Sequence, residues 1–371
     1  MRRFESFRPS FLHQLRTHVT SSSLTNTAAS PTVAAVVVLA AGLGTRMKPG
    51  LPKVLHPVCG LPLLRHVLRA TEAMGAPQTV VVLGHGHEQV EPYLPEGCTV
   101  AIQRSPLGTG HALLSAAAML PEEAVLVLPG DTPLLTSGVL LALAEGYRQS
   151  GADATVLTME LADPSGYGRV IRGAAGEVLR IVEHRDAAPA ELAVKEVNSG
   201  MYIMPGGRTL DVLTRVGTAN SQGEIYLTDV VESLVTEGAL VSAVKAANPE
   251  AVLGVNTRVE LAEAETIMNR RICQKWMLAG VTIERPECTQ IHVDVQIEPD
   301  VVLKPFCSLQ GRTTIGRGTT LGPCSTLIDT IVGRDCRVPH CYLEGATTGD
   351  AVELAPFTVS RAERCGWAGG L

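Results

Sequence analysis

From Ile297 onward an aliphatic side chain returns every sixth residue: Ile297, Leu303, Leu309, Ile315, Leu321 and Leu327. The beat then slips by one residue and resumes at Val332 and Val338. Six matches in phase exclude an α-helix, and small or turn-forming residues fill the space between them, as in "TTIGRGTTLGPCSTL". The pattern predicts hexapeptide coils of a parallel β-helix over residues 281–358. In such a fold every sixth side chain points inward and stacks on the coil below, so no coil is stable alone.

The chain ahead of these repeats follows a different rule. Short β-rich runs alternate with helical patterns: "VAAVVVLAA", "TVVVLG", "AVLVLPGD", "ATVLTMEL", "NSGMYIM" and "LVSAV", with "LLRHVLRATEAMG" and "GHALLSAAAML" among the helical stretches. Continuous apolar strands separated by helices predict an α/β domain over 33–256, built on a mostly parallel, Rossmann-like sheet covered on both faces. Ligands of such sheets bind at the carboxyl ends of the strands. The stretch 257–280 reads as one linking helix: Thr257 and Glu260 have capping-box spacing, Leu261, Met268, Ile272 and Trp276 roughly share a face, and Gly280 stops it.

Composition narrows the function. At 371 residues, 45% hydrophobic and 18% charged, the chain has the make-up of a two-domain globular protein. A net charge of −6 without a basic block, and only 4% aromatic residues, count against nucleic acid as a partner. The apolar run from Val33 to Ala41 is too short to span a bilayer, so no membrane partner is expected and the chain is placed in the cytoplasm. Nine cysteines without C-x-x-C spacing predict reduced thiols rather than disulfides or zinc ligands. Residues 1–32, with four Arg, one Glu and a Ser/Thr-rich end, read as a disordered leader. It resembles a transit peptide, or arises from too early a start with translation beginning near Val33 or Val36.

The densest chemistry lies in "VVVLAAGLGTRMKPGLPK", residues 36–53, where an apolar strand breaks at Gly42 and Gly44 and Arg46, Lys48 and Lys53 follow. It is not the dinucleotide fingerprint, whose third glycine would fall at Met47, nor a Walker A loop, whose G-K-[ST] ending is missing. Glycines still let backbone N–H groups approach phosphate oxygens, Arg46 can fork two of them, and Lys53 supplies a point charge. A tight strand-to-helix turn with solvated basic residues would read the same way.

The turn, together with "LGTGHAL" (107–113), "DPSGYGRV" (163–170), "IVEHRDA" (181–187), "VNSGMY" (197–202) and "GVNTR" (254–258), resembles the sugar-1-phosphate nucleotidyltransferases. In order and spacing the set is similar to the bacterial bifunctional UDP-N-acetylglucosamine pyrophosphorylase/glucosamine-1-phosphate N-acetyltransferase family. That family joins a nucleotidyltransferase domain through a helix to a left-handed β-helix. The resemblance implies uridylyl transfer from UTP to N-acetylglucosamine 1-phosphate, giving UDP-N-acetylglucosamine and pyrophosphate for cell-envelope precursors. The cofactor it implies is Mg²⁺, which suits oxygen ligands and lies between two polyanions.

Carried over by motif, Leu39, Ala40, Ala41 and Gly42 present backbone to the nucleotide, and Arg46 and Lys53 are the catalytic pair that meets the phosphates. Gln103, Gly108 and Thr109 would read uracil. Pro129, Gly130 and Asp131 lie at the site, with Asp131 and Asn256 holding Mg²⁺. Gly168, Glu183 and Asn198 would hold the sugar. Taken singly, each has another reading. Asp131 is a candidate N-cap for "TPLLTSGVLLALAEG", and Asn256 an ordinary loop residue. Glu183 could pair with Arg185 or Arg169, and Gln103 could sit on the surface. His85, His111 and His184 read as packing or hydrogen-bonding residues, because attack by a phosphate needs no general base.

Two departures from the family stand out. The position before Gly130-Asp131, often tyrosine in the family, is Pro129. The repeats run only to "ELAPFTVS", and 359–371, ending "RAERCGWAGGL", read as an aberrant tail. The expectation is a truncated β-helix from a frameshifted or shortened gene, without acetyltransferase activity. The family's homotrimers assemble through that domain, so trimerisation is in question here.

Overall fold

The structure, a computed structural model, describes residues 32–47 and 50–361. Most of the leader and residues 362–371 of the tail therefore lie outside the described residues. The first part is built on a sheet of β1 (Ala35–Ala40), β2 (Gln78–Leu83), β3 (Cys98–Ile102), β4 (Ala124–Pro129), β5 (Ala154–Glu160), β6 (Arg169–Arg172), β7 (Val178–Val182), β8 (Glu196–Pro205) and β9 (Val241–Lys245). Its order is β9-β5-β8-β4-β1-β2-β3, with β6 bridging β8 and β7.

The half β4-β1-β2-β3 is parallel, as is the β5-β9 pair, but β8 runs antiparallel to both β4 and β5. The sheet is thus more mixed than the apolar runs suggest. The reversal comes from β6 and β7, an antiparallel pair whose short runs "RVIR" and "VLRIV" carry arginines and lack a continuous apolar signal. The run in β1 is apolar throughout because both faces are covered. Val36, Val38 and Ala40 enter one core with Leu64, Val67 and Leu140. Ala35, Val37 and Ala41 enter the other with Leu113, Val212, Val230 and Leu234.

The linking helix spans Arg258–Leu278 and is N-capped by Thr257, whose side chain accepts from the Glu260 N–H while the Glu260 carboxylate accepts from the Thr257 N–H at 2.9 Å. Gly280, at φ +93°, follows its C-cap. Ile272 and Trp276 are buried, and Leu261 and Met268 partly so, in a third core that runs from Met47, Val58 and Leu63 into the repeats.

The repeats form a short left-handed parallel β-helix. Its three faces stack Ile283, Leu303, Leu321 and Val338; Ile291, Leu309, Leu327 and Leu343; and Ile297, Ile315 and Val332, each in register with the next coil. The slip after Leu327 shortens the step from Ile315 to Val332, and a second slip after Val338 shortens the step from Leu327 to Leu343 further, without breaking register. Val359–Arg361 adds a further strand on Tyr342–Glu344, carrying the stack past residue 358 into the segment read as tail.

A second inward position lies two residues before each aliphatic: Cys307, Thr313, Thr319, Ser325, Thr330, Cys336 and Cys341 are all buried. These are the corners: their carbonyls still accept backbone N–H groups from a neighbouring coil, and the N–H groups of Thr330, Cys336 and Cys341 go to side-chain hydroxyls. The Thr319 hydroxyl donates to the Gly333 carbonyl at 2.9 Å and accepts from the Cys336 N–H at 3.1 Å. Ser325 repeats this with Val338 O and Cys341 N. The Thr313 hydroxyl likewise accepts from the Thr330 N–H at 3.2 Å, but donates to Gln310 O in its own coil at 2.7 Å. Cysteine stands in for threonine at three rungs, which explains the thiols clustered here; burial pushes that of Cys307 up to about 11. Among the described residues the cysteines are all free.

Thr313→Val keeps the shape but takes the acceptor from the buried Thr330 N–H. It should cost about 1–3 kcal/mol in chemical denaturation, more than Thr313→Ser, which retains the hydroxyl. Equal stability of the Val variant and the parent would show that the hydroxyl ladder does not hold the coils together.

Candidate active site

At the carboxyl ends of β1 and β4 lies a cavity of about 490 Å³. The glycine turn forms its floor: Leu39, Ala40, Ala41, Gly42, Leu43, Gly44 and Thr45 all line it. The two glycines differ in what they are for. Gly44 sits at φ +60°, and a methyl group there would lie 2.6 Å from the Lys53 Cβ, so the fold itself requires glycine. Gly42 has ordinary φ and open space around it, with nothing within 4 Å of an added Cβ. Among the described residues no contact demands glycine at 42.

One end of the cavity is built from two loops strapped together. Gln103, at the end of β3, is buried, and its amide nitrogen donates to the Gly108 carbonyl and to His111 Nδ1, both at 3.0 Å. This disposes of the surface reading of Gln103 and gives His111 the hydrogen-bonding role expected of it. Gly108, at φ +101°, passes so close to Ile225 O that a side chain would collide at 2.5 Å. The backbone of Ile225 pairs with Leu107 and Gly110, and the Thr109 hydroxyl accepts from the Leu227 N–H at 3.1 Å.

At the other end, Gly168, Glu183 and Asn198 come together. A methyl group at Gly168 would touch the Glu183 carboxyl carbon at 3.6 Å, and the Asn198 N–H donates to the Gly168 carbonyl at 2.9 Å. Asn198 stands at a bulge of β8, where the register on β5 shifts between Asn198 and Met201. Its side-chain oxygen accepts from the Gly200 N–H, and its amide donates to the Tyr202 hydroxyl at 2.5 Å. Glu183 accepts from the Thr228 hydroxyl at 3.1 Å rather than from Arg185 or Arg169. Burial holds its carboxyl above the usual carboxylate range, against the pull of that hydrogen bond. The bulge also explains Pro129: β8 pairs with β4 only from Tyr202 onward, so the proline ring packs under Gly200 where no ladder donor is needed.

Between the two ends lies a charged cluster. The Lys53 ammonium bonds the Asp131 carboxylate and lies 2.7 Å from Asn256 Oδ1. Asp131 is therefore not the cap of the following helix, which starts at Ser137 behind Thr136. Its backbone is held by the Val255 N–H at 2.9 Å, and Gly130 by Leu39 O at 2.9 Å. Asn256 is oriented by the linking helix: Glu260, the capping-box carboxylate, also accepts from the Asn256 N–H. Arg258 reaches back to the Met47 carbonyl. Arg46 itself is exposed in the short turn Thr45–Met47, with no hydrogen bond or ion pair to another described residue. It is near enough to act electrostatically on the Tyr167 phenol.

Of the residues named from sequence, Leu39, Ala40, Ala41, Gly42, Gln103, Gly108, Thr109, Pro129, Asp131, Glu183 and Asn198 line the cavity. Lys53 and Asn256 join it through Asp131, Gly130 through its bond to Leu39, and Gly168 through Glu183. Sequence reasoning missed Tyr202, Glu224, Leu227 and Thr228, which also line it. Tyr202 closes the quoted "VNSGMY", but the 222–228 strap has no periodicity or motif to find it by.

Residues 36–197 match the MobA-like NTP transferase domain family. The chain is 44% identical over 328 residues to the bifunctional protein GlmU of Caldanaerobacter subterraneus subsp. tengcongensis, spanning 88% of this chain and 72% of that one. It is likewise 44% identical over 335 residues to the bifunctional protein GlmU of Streptomyces avermitilis, spanning 88% and 70%. The chain belongs to the GlmU family. Its first domain is a sugar-1-phosphate uridylyltransferase domain of the UDP-N-acetylglucosamine diphosphorylase type. A UDP-glucose pyrophosphorylase solved with UDP-glucose shares the fold of this region at a TM-score of 0.55 and 19% identity, covering 64% of this chain and 99% of that one.

The donor set suits a hard divalent cation. Asp131 and Asn256 offer two oxygens beside a cavity, leaving other positions for phosphate and water, as small oxygen-seeking cations require. Among the described residues no larger His/Cys/Asp/Glu cluster competes for a metal, and no helix is long and apolar enough to cross a membrane.

The two glycines separate structure from binding. Gly42→Ala should melt with the parent yet weaken UTP binding at least about tenfold by calorimetry. Gly44→Ala, forced to positive φ against Lys53, should lose about 1 kcal/mol or more of stability. The reverse pattern would overturn both assignments.

Proposed function

We propose that the chain transfers uridylyl from UTP to N-acetylglucosamine 1-phosphate, releasing pyrophosphate and UDP-N-acetylglucosamine. The observation that carries this reading is one cavity joining an amide-lined end, a glycine turn and a carboxylate-lined end, with the Asp131–Lys53–Asn256 cluster between them. A phosphate oxygen of the sugar phosphate attacks the α-phosphorus of UTP. That P–O bond forms as the bond to the β-phosphate oxygen breaks, so the protein's task is alignment and charge.

The Gln103–Gly108–Thr109 end presents amide and backbone groups to uracil, and the backbone of 39–42 lies along the nucleotide. Arg46, unpaired among the described residues, stabilises the charge that collects on the leaving pyrophosphate. Gly168 leaves room for the sugar, Asn198 is fixed by its bulge, and Glu183 accepts hydrogen bonds from the sugar's polar groups. Asp131 and Asn256 would hold Mg²⁺, which when bound supplies positive charge between the two polyanions.

The test is pyrophosphate release by the purified chain given UTP with N-acetylglucosamine 1-phosphate, glucose 1-phosphate or mannose 1-phosphate in turn. The N-acetylated substrate should be preferred in kcat/KM; a preference for either of the others would replace the substrate assigned here. Arg46→Ala should lower kcat by roughly 10²–10³-fold with both KM values little changed, the signature of a donor that acts on developing charge. Unchanged turnover would remove Arg46 from the chemistry.

A further inference from the structure

The Lys53 ammonium sits on the same two oxygens, of Asp131 and Asn256, that the proposed function gives to the divalent cation. It is held there. The Lys53 residue is only 9% exposed, and its stem lies against Gly44, where even a methyl group would collide with it. A cation arriving without nucleotide would meet a site already neutralised: one carboxylate, one ammonium and one uncharged amide. It would have to enter beside a positive charge or drive the lysine off its one carboxylate partner among the described residues. A triphosphate changes this balance, because it brings several negative charges that can receive the ammonium as the metal takes Asp131.

We propose that Lys53 is a built-in counter-cation that competes with the divalent metal for Asp131 and Asn256, so that metal binds well only together with the nucleotide. The inference rests on the metal assignment of the proposed function and goes beyond it. Lys53 sets the order and coupling of ligand binding in addition to meeting phosphate. By linkage the coupling is reciprocal, so the metal raises nucleotide affinity by the factor by which nucleotide raises metal affinity.

Mn²⁺ serves as the probe, with free and bound ion separated by electron paramagnetic resonance on the full chain, and no turnover is required. The parent should bind Mn²⁺ weakly alone and much more tightly with UTP. Lys53→Met, which keeps the stem and removes the charge, should bind Mn²⁺ alone about tenfold or more tightly than the parent, with a smaller enhancement by UTP. Lys53→Gln is a second variant of similar length, and a cooperative melt qualifies either one. Metal-alone affinity in both variants no better than the parent's would overturn the proposal.

Asp131→Asn placed on Lys53→Met tells the two possible failures apart. If it abolishes Mn²⁺ binding while Lys53→Met alone brings no gain, the metal site stands and the role of Lys53 falls. If it leaves Mn²⁺ binding intact, the metal assignment falls and the proposal with it.

Discussion

A carboxylate at the rim of a cavity needs a positive partner, and the pairing of Asp131 with Lys53 draws distant parts of the chain to one point. Lys53 lies 78 residues before Asp131, and Asn256 lies 203 residues after Lys53. Each is fixed by a different element. Lys53 follows the glycine turn, Asp131 lies two residues past the end of β4, and Asn256 is held at the start of the linking helix by the Glu260 carboxylate. The helix that begins at this cluster carries Ile272 and Trp276 into the core of the β-helix. A single electrostatic requirement is thereby tied to the packing of both parts.

The rest of the cavity uses neutral hydrogen bonds to the same end. Gln103, Thr109, Asn198 and Glu183 each spend part of their bonding capacity on the protein, so they are oriented before any ligand arrives. Pre-organised groups lose little freedom on binding, which suits a reaction whose difficulty is aligning two anions. The β-helix applies the same economy to structure. At its corners, buried N–H groups that the ladder leaves over are taken by hydroxyls of the neighbouring coil, as at Thr330, Cys336 and Cys341.

Much of this was legible in advance. The sixfold beat located the stacked aliphatics because an inward position leaves a mark on every coil. The capping box at Thr257 and Glu260 was legible because its two residues are neighbours on one turn of helix. Less visible were β6 and β7, whose arginines interrupt the apolar pattern, and the antiparallel run of β8 that follows from them. The corner ladder was hidden because Thr, Ser and Cys are interchangeable there and share no single letter.

The candidate site divides along the same line. Gly42 and Gly44 look alike in the sequence, and only the position of the Lys53 stem shows that one serves the fold while the other is left open. Asp131 after an apolar strand could equally have been a helix cap, until the helix was seen to begin behind Thr136. By itself the sequence determined the periodicities and the phosphate-seeking turn, because these depend on residues a few positions apart. The tertiary structure decided that Lys53, rather than open solvent, meets Asp131 and Asn256, because which side chains meet across 203 residues is set by sheet order and helix placement.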